Sequence, residues 1–65
     1  MAPNEFINFV EKFWFTENKV LYKGKEHKAI DYNVTEAIIY LAPFIEKKPD
    51  LDNTVWVTAE NCIII

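Results

Sequence analysis

In Thr54-Val55-Trp56-Val57-Thr58-Ala59-Glu60-Asn61-Cys62-Ile63-Ile64-Ile65, two β-prone runs stand on either side of a polar break. Branched and aromatic side chains suit a pleated, half-buried surface, and Ala59-Glu60-Asn61 is too short for anything but a tight turn. The stretch therefore predicts strand, turn, strand. Alternation along the second strand sends Ile63, Ile64 and Ile65 to different faces, and one small core cannot cover both. This predicts a dimer or larger assembly that covers the outer face.

Working outward, Glu46 to Asn53 carries five charged residues and one apolar one, Leu51, and reads as a solvated loop. Leu51 either anchors that loop or is offered to a partner. Asp31 to Lys48 fits two structures. As a helix it has Asn33 as cap, Glu36 completing a capping box, and an apolar stripe of Val34, Ala37, Ile38, Leu41 and Ile45. Pro43 opposes this, because inside a helix it removes a hydrogen bond and clashes with the preceding turn, costing about 3 kcal/mol. As a strand, Ala37-Ile38-Ile39-Tyr40-Leu41 has the right composition and length, and a proline at its end is tolerated. The strand is favoured.

Lys19 to Ile30 reads as two extended segments around Gly24, the single glycine, which can take the positive φ of a tight turn. Val20 and Tyr22 share a face. The lysines here are either an anion-binding lip, with Tyr22 as stacking surface, or solvated side chains that discourage edge pairing. The solvated hairpin is favoured, and His27 is expected to be an ordinary surface residue. Asn4 is expected to cap an amphipathic helix over residues 4–15, with Phe6, Ile7, Phe9, Val10, Phe13 and Trp14 in one broad arc. Phe15 falls on the polar side, so the helix is expected to end near Trp14. The arc is read chiefly as core, with docking on a partner or a second copy as the alternative for Phe13 and Trp14.

Composition bounds the rest. Sixty-five residues make a single domain, residues 1–65, close to the lower size at which a chain can bury its own core. One cysteine excludes an intramolecular disulfide, and one histidine with one cysteine cannot close a four-ligand metal site alone, so no metal or other cofactor is expected. Hydrophobic residues reach 51%, which favours self-association. No run approaches the roughly 18 to 20 apolar residues that span a bilayer. With no basic start followed by an apolar core at the N-terminus, the expectation is a cytoplasmic protein without a membrane partner, and Asn33-Val34-Thr35 reads as a chance glycosylation triplet. A net charge of −3 argues against nucleic-acid binding. Arg, Ser and Gln are absent while Lys, Asn and Ile abound, a usage compatible with an AT-rich genome such as that of a low-GC bacterium or its phage.

Trp56-Val57, the short turn Thr58-Ala59-Glu60-Asn61 and the final Cys62-Ile63-Ile64-Ile65 resemble the closing unit of SH3-like barrels, where one 3₁₀ turn separates the last two strands. Val20-Leu21-Tyr22-Lys23-Gly24-Lys25 is similar to their opening strand and turn. With Ala37 to Leu41, the resemblance implies a mainly β fold: a small five-stranded barrel over residues 19–65, preceded by the helix as an addition. The alternative is an α+β chain of helix, hairpin, helix and hairpin. The aromatic motifs with which such barrels hold proline-rich peptides are absent. The class includes small phage and plasmid proteins that act by binding.

Catalysis is not expected. There is no serine nucleophile, Cys62 begins an apolar strand where it reads as a small core residue, and Asp50 and Asp52 lie in an open loop. Two binding functions remain. The first is a phage- or mobile-element-encoded module that docks on a host protein and modulates or inhibits it, using aromatic side chains such as Trp14 and Trp56. The second is an oligomer that sequesters a nucleotide-like or other anionic metabolite between Tyr22, Tyr32 and Trp56 as stacking surfaces and Lys23, Lys25 and Lys28 as charge partners. Phe13, Trp14, Ile63 and Ile65 are the expected oligomer or partner surface.

Overall fold

The computed structural model describes residues 2–14 and 16–65. It is mainly β: one N-terminal helix and six antiparallel strands in an open sheet. Helix α1 spans Pro3–Glu11. Strands β1 (Lys19–Tyr22), β2 (Lys25–Asn33) and β3 (Ile38–Ile45) form a meander, followed by β4 (Lys48–Pro49), β5 (Val55–Thr58) and β6 (Cys62–Ile64).

The helix cap lies two residues before the expected one, Asn4. Ala2 is the N-cap without a side-chain hydrogen bond, and Pro3 opens the first turn, where its fixed φ is already helical and its missing N–H is no loss. Regular helix stops at Glu11, short of the expected end near Trp14, and Phe15 itself lies outside the described residues. Tighter turns carry the chain on: the Phe13 and Trp14 N–H groups both donate to the Val10 carbonyl, at 3.2 and 2.9 Å. The 4 and 3 spacing of Phe6, Val10 and Phe13 puts all three on the sheet, each 5% exposed or less. The helix is thus no mere addition. It supplies one side of the core, and Val20, Ala29, Ile39, Leu41, Val57 and Ala59 supply the other.

Lys23 and Gly24 both have positive φ, 53° and 76°, as a two-residue turn of type I′ requires between right-twisted strands. A Cβ at Gly24 meets no atom within 4 Å, so Gly24→Ala is expected to cost about 1 kcal/mol from backbone strain alone, checked by urea unfolding. Across this hairpin Val20 pairs with His27, and His27 pairs with Pro43 on its other side. That register turns His27 inward. It is buried rather than exposed as expected, at 7% exposure, and its Nδ1 lies 2.8 Å from the Lys25 carbonyl oxygen.

Asp31 to Lys48 contains no helix. Asn33 Oδ1 does accept the Glu36 N–H, at 3.1 Å, which is the bond a helix cap would make. Here it closes a turn instead, and Ala37 leaves that turn with φ of 54°. Strand β3 runs longer than expected, through Pro43 to Ile45. Its outer side pairs first with β5, from Ile38 to Leu41, and then with β4, at Phe44 and Ile45. Pro43 sits between those two pairings, and its carbonyl accepts the Asp50 N–H at 2.7 Å. A residue without an N–H is tolerated at such a gap. The charged loop is broken by Glu46 and Lys47, which at φ of 52° and 69° make a second two-residue turn. Leu51 is 66% exposed and anchors nothing.

Strand, turn and strand occur at residues 55–64 as expected, with Ala59–Asn61 as one turn of 3₁₀ helix. The two strands do not pair with each other. β5 lies beside β3, whereas β6 lies beside β1 at the opposite side of the sheet. The Ala59 N–H donates to the Ala37 carbonyl at 3.1 Å, tying the crossing to the turn before β3. Ile64 packs against the core while Ile63 and Ile65 are 64% and 55% exposed, the split that alternation demands.

Candidate functional site, a groove between the helix and strand β2

Register decides which predicted site residues meet. Tyr32 pairs with Ile39, whose side chain is fully buried, so Tyr32 points to the face that the helix covers. It meets Phe6 at a ring-centroid distance of 6.1 Å and Trp14 at 4.9 Å, with the Trp14 and Tyr32 planes 85° apart. The two rings form one wall of a surface groove of about 370 Å³ lined by Ile7, Val10, Glu11, Trp14, Tyr32 and Val34. Ile7, Glu11 and Trp14 follow one another at spacings of 4 and 3, a single stripe along the helix and its continuation. Val34, just past the end of β2, completes the opposite side. Among the described residues of the lining, Glu11 is the one that carries a charge.

The other expected site residues lie elsewhere. Tyr22 faces Lys25 across the hairpin, at the end of β2 remote from Tyr32; seven residues of strand make that separation about 23 Å. Its ring packs edge-on to His27 at 5.6 Å, and Lys23 Nζ stands 5.4 Å from the ring centroid. Trp56 pairs with Tyr40 on the face turned away from the helix, stacked at 4.8 Å, and is 45% exposed. The Tyr40 hydroxyl is hydrogen-bonded to the Thr54 hydroxyl. Lys28 stands opposite Lys19, one residue along from inward-facing His27. Tyr22, Tyr32 and Trp56 therefore do not converge; Lys23 and Lys25 lie at the hairpin turn beside Tyr22, whereas Lys28 is on the opposite face of β2 from Lys25. Of the expected partner surface, Phe13 is 2% exposed and belongs to the core, Trp14 is half-buried in the groove wall, and Ile63 and Ile65 are exposed on and beyond the last strand.

A second cleft of about 380 Å³ opens between Lys19, Glu26, Phe44 and Lys47. Lys19 Nζ stands 5.8 Å from the Phe44 ring centroid and 3.6 Å from a Glu17 carboxylate oxygen. No family model, curated protein or solved structure matches this chain. The chemistry of the two clefts is thus the basis for assigning a role.

Sequence reasoning named Trp14 and Tyr32 but put them in different roles, and it left out Ile7, Glu11 and Val34 as groove residues. A signal for the first two exists in the helical spacing of Ile7 and Glu11 to Trp14. None exists for Val34, which reaches the groove only through the β2–β3 turn. Among the described residues no three His, Cys, Asp or Glu side chains gather as a metal-ligand set, and no helix is long and apolar enough to cross a membrane.

Proposed function

We propose that this chain is a non-enzymatic binding module that docks on another protein and modulates or inhibits it, with the groove beside α1 as the docking surface. The observation that carries this reading is the right-angled Trp14 and Tyr32 pair in the wall of an open, largely apolar groove. Aromatic side chains of this kind dominate binding energy at protein interfaces, and a groove lets a partner bury them from more than one side. The small size and the phage-like residue usage fit a mobile-element protein acting on a host target in the cytoplasm. Support for an SH3-like barrel comes from the strand order, with β6 beside β1 and a 3₁₀ turn between β5 and β6. Self-association through exposed Ile63 and Ile65 belongs to the same reading.

The test is retention from host lysate by immobilised wild-type chain and by Ile7→Arg, which places a long cation at a 43% exposed position of the groove wall. The wild type is expected to retain a defined protein that the variant loses at least about tenfold, the loss that roughly 1.4 kcal/mol of binding energy represents. Equal retention by both, or no protein above background, removes the groove from the proposal.

The second cleft favours a second reading, an anionic small molecule held by Lys19 and Lys47 around Phe44. Raised absorbance at the nucleotide maximum in the purified protein, or a thermal shift with nucleotides, supports that reading. Absence of both ends it.

A further inference from the structure

We infer that a second copy of this chain pairs along the free edge of β6, antiparallel and centred on Ile64, so that the two sheets join across a two-fold axis; this gives a geometry to the self-association proposed above and rests on it. β6 ends the strand order, and β1 is its one strand neighbour. Which backbone groups reach its open edge follows from the β1–β2 hairpin. In a two-residue turn the flanking residues, Tyr22 and Lys25, exchange both backbone hydrogen bonds, and the pairs alternate from there. Pro43 agrees with this alternation, since it lies opposite His27 at a pair that needs no N–H. Leu21 therefore turns its N–H and C=O away from β2 and toward Ile63, its partner on β6. Ile63 uses its groups on β1, which leaves Cys62 and Ile64 facing outward. The Cys62 N–H already donates to the Ala59 carbonyl, so of these two Ile64 alone offers both a donor and an acceptor. Among the described residues, neither of these Ile64 groups has a backbone partner at that edge.

The strand is complementary to itself in one register. An antiparallel pair centred on Ile64 lets each copy's Ile64 N–H donate to the other's Ile64 carbonyl. The same register sets Ile63 opposite Ile65 of the second copy, and Ile65 opposite its Ile63. These are the two exposed isoleucines, at 64% and 55%, and by alternation they share the outer face with Leu21. Each exposed side chain thus covers one on the other copy, as an isologous contact requires. Apolar β-branched side chains directly opposite one another are favourable, and no charge meets a like charge, because residues 62–65 carry none.

The edge also lacks the usual protection. Sheet edges are blunted by lysine, proline or a bulge, which keep other strands from adding to them. β4, at the other end of the strand order, carries Lys48 and Pro49. β6 and the following Ile65 carry neither, and their pairing with β1 runs without a register shift. The edge is short, however. Two isoleucines and one hydrogen-bonding position per copy cover less than the roughly 1,000 Å² of a stable interface, so the dimer is reversible, with Kd on the order of 10 to 100 μM.

Sedimentation equilibrium of the full chain at about 1 to 300 μM, a range that brackets this Kd, is expected to show monomer and dimer in exchange. Ile63→Lys is expected to weaken the dimer at least about tenfold while leaving the unfolding midpoint at low concentration unchanged. Register is read by disulfide trapping. Ile63→Cys and Ile65→Cys, each in the Cys62→Ala chain, are oxidised separately and as a mixture. Residues opposite each other at a non-hydrogen-bonded pair have Cα atoms about 4.5 Å apart, within disulfide range. The mixed disulfide is therefore expected to form well ahead of either symmetric one. A chain that stays monomeric overturns this inference together with self-association, and leaves the groove to be judged by the Ile7→Arg comparison. A dimer that Ile63→Lys does not weaken, or that traps no disulfide, overturns edge pairing and leaves self-association through another surface standing. Faster trapping by Ile63→Cys alone overturns the register centred on Ile64.

Discussion

Phe6→Ala is expected to abolish cooperative folding of the whole domain, not merely to loosen its first turns. Phe6 is fully buried and is among the largest side chains that are, and its ring also packs against Tyr32 of β2. Removing a buried phenylalanine costs about 3 to 5 kcal/mol, in part because the surrounding side chains close over the cavity only partly. A domain of this length has a total stability of about 3 to 10 kcal/mol. The single cysteine leaves no internal disulfide to make up the difference. The loss is therefore about a third of the whole at the upper end of that range and all of it at the lower end, and it falls on both halves of the molecule because α1 and the sheet share one core. The measurement is urea unfolding followed by far-ultraviolet circular dichroism, with Ile7→Ala as control; that position is 43% exposed and is expected to change stability by less than about 1 kcal/mol. A Phe6→Ala protein whose stability falls by no more than the control contradicts the packing of α1 described above.

Two parts of the fold were legible in the sequence because their signals are local. Phe6, Val10 and Phe13 repeat with helical spacing, so the apolar face of α1 follows from the chain itself. Val55 to Thr58 and Cys62 to Ile64 are β-prone runs around a polar break, and no other element competes for them. Asp31 to Lys48 is different, because an Asn33 side chain receiving the Glu36 N–H serves a helix cap and a turn equally well. What separates the two outcomes is pairing of β3 with β2, β4 and β5, none of which is visible within the segment. Burial of His27 was hidden for a similar reason. Lys25-Glu26-His27-Lys28 shows no alternation of apolar and polar residues, and only the register against Val20 and Pro43 reveals which face is inward.

The candidate site was legible as parts and not as a place. Trp14 and Tyr32 are 18 positions apart in the chain, and they meet because Tyr32 shares the inward face with Ile39. Grouping Tyr22, Tyr32 and Trp56 by residue type ignored two facts that strands impose: a long strand separates its ends, and alternate residues face opposite ways. Trp56 and Tyr32 both lie next to β3, yet on different faces. Spacing along the helix could have added Ile7 and Glu11 to Trp14, since all three follow from the same periodicity that located the core.

Cys62 carries the second large expected effect, a thiol about a hundredfold less reactive in the folded chain than in the unfolded one. It opens β6 opposite Tyr22, is 7% exposed, and its Sγ lies 3.8 Å from the Thr58 carbonyl oxygen. Burial disfavours the thiolate and pushes the thiol pKa up to about 11. Only the thiolate attacks, so near neutral pH a rise of about two units lowers the reactive fraction about a hundredfold, and limited access lowers the rate further. Labelling with iodoacetamide is expected to be slow in buffer and fast in concentrated urea. The same shift has a sign for stability. Above the ordinary thiol pKa the unfolded chain has lost a proton that the folded chain still holds, so the folded state loses ground as pH climbs toward about 11. Cys62→Ala keeps a small apolar side chain and removes that titration, so its stability is expected to fall less steeply over the alkaline range than the parent's. Labelling in buffer as fast as in urea, or parallel alkaline curves for the two proteins, contradicts a buried thiol at the start of β6.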